Sequence, residues 1–108
     1  MKAINNQVEF DQIVNGTKPV LVDFYADWCG PCQTQLPIVE DLSQLHQEDF
    51  EVVKVNVDQQ KELAAKFGIR SIPALFFIRE GEILEKMVGL QTKSTLESKM
   101  QYYAQPKV

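Results

Sequence analysis

Cys29 and Cys32 are the only thiols among 108 residues, and Gly30-Pro31 lies between them. Cysteine pairs serve three chemistries: structural cross-linking, metal ligation and reversible redox exchange. By loop-closure entropy, a disulfide across four residues stabilises a fold by about 2 kcal/mol before strain, against roughly 3 kcal/mol for a fifteen-residue loop. As a staple the pair is badly placed. A structural zinc site takes four soft ligands, and beyond the two thiols the chain offers one histidine, His46. Reversible thiol–disulfide chemistry is the reading that uses both sulfurs.

The apolar spacing defines the elements that must carry this pair. Val8, Phe10, Ile13 and Val14 fit a short amphipathic helix after Asn5-Asn6, closed by Asn15-Gly16. Pro19 opens Val20-Leu21-Val22-Asp23-Phe24-Tyr25-Ala26, an almost unbroken apolar run that predicts a central strand covered on both faces. After the cysteines, Ile38, Leu42 and Leu45 repeat at helical spacing, with Leu36 and Val39 widening the stripe. Pro31 to about Gln47 therefore reads as a long helix, kinked at Pro37. Phe50 to Val57 is the next strand, and Lys61 to Phe67 a short helix that stops at Gly68. Leu75 to Ile78 and Ile83 to Val88 flank Arg79-Glu80-Gly81-Glu82, the pattern of a hairpin. Leu96, Met100 and Tyr103 form a last helical stripe, started either by Thr92 or by the capping box Ser94-Thr95-Leu96-Glu97.

Strand, long helix, strand is a βαβ unit with parallel strands, and the hairpin adds antiparallel ones. The expectation is an α/β fold with a mixed sheet and helices on both faces, in a single domain of residues 1–108. The cysteines then sit where a strand's carboxyl end feeds a helix N-terminus, the usual place for chemistry in such sheets. There, unpaired N–H groups and the helix dipole favour a thiolate, which is the species that attacks a disulfide. Pro31 suits the first turn, and Cys32 comes round to the same face one turn deeper. Asp23, in the middle of the apolar strand, faces a low dielectric that raises its pKa; the alternative is a carboxylate on a solvated edge. Val53, Val55 and Val57 alternate with Lys54, Asn56 and Asp58, which predicts one apolar and one solvated face.

Composition bounds the rest. From its mass of 12.3 kDa a compact monomer exposes about 6,100 Å² against about 17,800 Å² unfolded, enough burial to need no staple. Fifteen acidic against eleven basic residues give a net charge of −4, which disfavours general attraction to nucleic acid or anionic membrane. No apolar stretch approaches a membrane span, and Met1-Lys2-Ala3-Ile4 runs into Asn5-Asn6-Gln7 without a signal-like apolar core. A cytoplasmic protein is the resulting expectation.

Trp28-Cys29-Gly30-Pro31-Cys32 resembles the active-site signature of the thioredoxin family. The likeness extends to Val22-Asp23-Phe24, Pro37, Lys54-Val55-Asn56-Val57-Asp58, Gly68-Ile69-Arg70-Ser71-Ile72-Pro73 and Val88-Gly89, in the family's order and spacing. It implies the thioredoxin fold and a protein disulfide reductase serving cell redox homeostasis. In that family the first cysteine has a depressed pKa. By the resemblance, Cys29 is the nucleophile, Cys32 resolves the mixed disulfide, Asp23 takes and returns the proton, and Lys54 tunes Asp23. Gly30 and Pro31 contribute to the redox potential. The family places a cis proline at Pro73, although most X-Pro bonds are trans. Ile72 would then hold the client main chain in strand-like fashion, inside an apolar rim of Trp28, Gly30, Pro31, Ala74, Gly89 and Leu90. The implied partners are oxidised client proteins and an NADPH-dependent flavoprotein reductase; the protein itself would be a monomer with no bound cofactor or metal.

Three positions depart from the commoner pattern: Tyr25 where tryptophan is frequent, Gln33 where a basic residue follows the second cysteine, and Ala74 where threonine is common. Loss of the cation should weaken thiolate stabilisation and alter client preference. His46 reads as a surface helix residue. Two rival functions remain: an oxidant or isomerase of an oxidising compartment, and a binding or regulatory subunit that uses the fold without its redox activity.

Overall fold

The computed structural model describes residues 1–105. Its elements are β1 (Lys2–Ala3), α1 (Gln7–Val14), β2 (Val20–Tyr25), α2 (Gly30–Leu45), β3 (Glu51–Asn56), α3 (Lys61–Lys66), β4 (Ala74–Arg79), β5 (Glu82–Val88) and α4 (Lys93–Tyr103). The five-stranded sheet runs β1-β3-β2-β4-β5, with β3 parallel to β1 and β2, and β4 antiparallel to β2 and β5. This is the mixed sheet the apolar pattern predicts. The accessible surface, 6043 Å², also matches that expected from the mass.

Strand β2 lies at the centre and all six of its residues are buried. Its side chains alternate between two cores. Val20, Val22 and Phe24 pack with Phe10 and Val14 of α1 and Leu63 of α3. Leu21 packs on the other face with Val39 and Leu42 of α2 and Leu96 and Met100 of α4. Phe67, just past α3, holds the first core together through ring contacts with Phe10, Phe24 and Phe76 at 5.1–5.4 Å.

Local signals set most of the boundaries. The Asn6 side chain caps α1 by accepting from Glu9 N, and Thr92 caps α4 by accepting from Thr95 N, which decides between the two possible starts of that helix. The hairpin turns on Glu80 and Gly81, both at positive φ as a two-residue turn with primed geometry requires. Gly81 N also donates to Val14 O at 2.8 Å, tying the turn to the end of α1.

Two expectations need correction, and one strand was not foreseen. The buried face of α2 is Cys32, Gln35, Val39 and Leu42, whereas Leu45 is exposed. The stripe is rotated because Gln35, though polar, finds partners inside. Strand β3 does not have a solvated face: Val52 and Asn56 are buried beside half-buried Lys54, since α2 covers that side. Strand β1 has no counterpart in the sequence pattern, because two residues carry no periodicity; its pairing with Val53 and Lys54 alone defines it.

Candidate functional site

Asp27 and Trp28 turn the chain from β2 into α2, and Cys29 is the helix N-cap, with Pro31 in the first turn. Cys29 and Cys32 are joined by a disulfide. The sulfur of Cys29 accepts from Cys32 N at 3.2 Å, so the end of the helix aims an N–H at the atom that would carry thiolate charge. Cys29 retains 5 % exposure and Cys32 none, so the first cysteine is the less enclosed of the two.

Behind the pair, Cys32 packs with Tyr25, Ala26 and Leu36. Asp23 stands on β2 between Leu21 and Tyr25, and the alternation of the strand turns all three toward α2. It is fully buried, and neither carboxylate oxygen has a hydrogen-bond partner among the described residues. Burial pushes its pKa up from 3.8 to about 7, with the nearby Lys54 charge opposing the rise. The buried reading of Asp23 therefore holds over the solvated-edge one. Lys54 is its register partner across the parallel β2–β3 pair, and the ammonium lies 5.5 Å from the centre of the Tyr25 ring.

The Ile72–Pro73 bond is cis. The carbonyl oxygen of Ile72 lies 3.8 Å from the Cys29 sulfur, and Pro73 O accepts from Gly89 N at 2.8 Å. Of the expected rim, Trp28, Gly30, Pro31 and Leu90 are exposed and Ile72 and Gly89 half-buried. Ala74 does not belong to this rim: it is 1 % exposed, because at the start of β4 its side chain turns into the core with Phe24 and Phe76.

Sequence reasoning missed several contacts. The Trp28 indole N–H donates to Asp58 Oδ2 at 2.9 Å, which holds a ring that is 73 % exposed. Asp58 is fixed in turn because Asn56 Oδ1 accepts from its backbone N–H at 2.9 Å. Gln33 donates its amide to Ala26 O and Asp27 O at 3.3 and 3.4 Å, tying the first helical turn to the loop before it. His46, expected as a surface helix residue, is half-buried at the C-cap of α2 and meets Glu97 of α4 at 2.8 Å. No side-chain cluster among the described residues could hold a metal ion, and no helix is long and apolar enough to cross a membrane.

A cysteine pair at a helix N-terminus, over a buried carboxyl and beside a cis proline, belongs to the thiol–disulfide exchange proteins. Comparison with known proteins agrees. The thioredoxin family model matches residues 2–102. The chain is 43% identical over 97 residues to the thioredoxin of Mycoplasmoides gallisepticum, covering 90% of this chain and 96% of the relative. It is 42% identical to that of Porphyra purpurea, covering 85% and 86%. Among solved structures, a single-substitution mutant of a thioredoxin from Halobacterium salinarum superposes with a TM-score of 0.89 at 38% identity, covering 99% of this chain and 93% of the other. The thioredoxin of Malassezia sympodialis gives 0.90 at 31% identity, covering 97% and 91%. This chain belongs to the thioredoxin family, and its function is that of a protein disulfide oxidoreductase with a redox-active Cys29–Cys32 pair.

Proposed function

We propose that this chain, as one domain of residues 1–108 acting as a cytoplasmic monomer, reduces disulfides in client proteins and returns to the dithiol through an NADPH-dependent flavoprotein reductase. The supporting observation is the difference between the two cysteines, Cys29 retaining 5 % exposure and Cys32 none. In the reduced protein the Cys29 thiolate attacks a client disulfide, breaking its S–S bond and forming a mixed disulfide while one client sulfur leaves as a thiolate. Cys32 then gives up its proton to Asp23 and attacks Cys29, closing the internal disulfide and releasing the second client sulfur. A carboxyl with a pKa of about 7 can accept and return that proton near neutrality. Lys54 keeps the pKa from rising further and so tunes the exchange.

Gly30 and Pro31 set the potential by fixing the geometry between the sulfurs. Ile72 and Pro73 receive the client main chain, and Trp28, Gly89 and Leu90 supply the contact surface around it. No bound cofactor is required, because the electrons reside in the cysteine pair.

Insulin reduction tests the reading. With the reductase and NADPH the parent turns over, and without a reductant it stops after one equivalent per protein. Cys32→Ser accumulates a mixed disulfide, and Cys29→Ser does nothing. Absence of turnover in the folded parent under reducing conditions overturns the proposal.

A further inference from the structure

Three polar or charged side chains are buried among the described residues: Asp23, Asn56 and Gln35. The first belongs to the proton path and the second closes the turn after β3. Gln35 is left without a role.

It lies one helical turn beyond Cys32 on the buried stripe of α2 and is fully enclosed. Its carboxamide forms two bonds with the main chain of a single residue, Gln91: the oxygen accepts from Gln91 N at 2.7 Å, and Nε2 donates to Gln91 O at 3.1 Å. Gln91 falls between β5 and α4, where no strand or helix supplies its backbone with a partner, so the Gln35 side chain stands in for a neighbouring strand. From there the connection continues. Gln91 Nε2 donates to Gly89 O at 3.1 Å, and Gly89 N donates to Pro73 O at 2.8 Å. Pro73 follows the residue whose carbonyl lies against Cys29, so the hydrogen-bonded path leaves the cysteine helix one turn beyond Cys32 and returns to the site. Gly89 sits at φ +92 and is half-buried, with open space on the side where a methyl group would point. Its carbonyl and its N–H are both held by hydrogen bonds of this path.

We propose that Gln35 is a positioning residue for client docking, whose buried carboxamide locks the Gly89–Leu90–Gln91 segment to the helix bearing the cysteines. The inference rests on the reading of Gly89 and Leu90 as part of the docking surface. Gln35 touches neither sulfur nor client. Its loss leaves the chemistry of the pair intact and frees the segment to move, so a large client must order it on binding.

The test compares insulin with 5,5′-dithiobis(2-nitrobenzoate), a small disulfide that needs no docking surface. Gln35→Met keeps the volume and removes both bonds. It is expected to raise KM for insulin about five- to tenfold with kcat little changed, the size of effect one or two lost hydrogen bonds produce. Its rate with the small disulfide and its redox potential stay at parental values. Gln35→Glu carries the test if that variant fails to fold: the carboxylate still accepts from Gln91 N but has no proton for Gln91 O, whereas the protonated acid does both. Its insulin KM relative to the parent at each pH should exceed one at high pH and fall toward one as pH is lowered. A ratio of one throughout, or a raised ratio that ignores pH, overturns the proposal. Leu90→Ser separates the two layers of inference. If it raises insulin KM while the Gln35 variants do not, the positioning role fails and the docking surface stands. If it leaves insulin KM unchanged, the docking surface itself is wrong and the role of Gln35 falls with it.

Discussion

Asp23 is enclosed by protein and gains no hydrogen bond among the described residues, and the nearby ammonium of Lys54 offsets part of the cost. A rise from 3.8 to about 7 corresponds to a penalty on the order of 4 kcal/mol for holding the charged form. The sign follows from proton counts: between those two pH values the unfolded chain has released the proton while the native state keeps it, so stability falls as pH rises through that window. Above about pH 7 the full penalty is present; well below pH 4 there is none. Asp23→Ala should therefore be more stable than the parent by about 2–4 kcal/mol at pH 8, allowing for a small cavity, with the gain vanishing near pH 3. The same change should slow insulin turnover by about tenfold or more if Asp23 is the proton acceptor proposed above. Urea unfolding at the two pH values and steady-state rates check both halves. A variant less stable than the parent at pH 8 would mean that the carboxylate is paired and charged in the native state.

At the scale of elements, the readable features were those set by residues close in sequence. The unbroken run of β2, the Asn6 cap and the Glu80-Gly81 turn all follow from neighbouring side chains, and each stands where the pattern put it. What escaped depends on partners 30 to 56 residues away: Trp28 on Asp58, His46 on Glu97, Gln35 on Gln91. Periodicity cannot foresee a glutamine that is buried because a distant backbone needs it. Of the candidate site, the cysteine pair could be read directly and the exposed rim position of Trp28 followed from the resemblance, whereas the choice between a buried and a solvated Asp23 and the inward turn of Ala74 needed coordinates. Two glycines with positive φ show how far local strain and packing separate. At Gly81 a methyl group would lie 2.5 Å from Asn15 Oδ1, while at Gly89 it would meet nothing. Gly81→Ala should cost about 2–3 kcal/mol from strain and collision together, and Gly89→Ala about 1 kcal/mol from strain alone. Equilibrium urea unfolding of the two variants side by side measures the difference, and equal losses would show that Asn15 yields without cost.

For the whole molecule, two cores on either side of one sheet supply the stability, and the disulfide closes a separation of only three residues. The fold should then survive without its sulfurs. Cys29→Ser combined with Cys32→Ser is expected to unfold cooperatively, about 2 kcal/mol below the oxidised parent, or roughly 8–16 °C in Tm. Calorimetry settles it; a variant without a cooperative transition would mean that the core depends on the cross-link. The borders of the sheet bear on the company such a protein keeps. On one side β1 is two residues long, and on the other β5 carries Glu82, Glu85 and Lys86 along its length. A protein that reduces other chains meets them while they are strained or half-open, with loose strands ready to extend any long, flat, apolar edge. A two-residue border and one interrupted by charges make poorer templates for such growth than a long apolar edge would, even though Ile83 and Val88 of β5 are exposed.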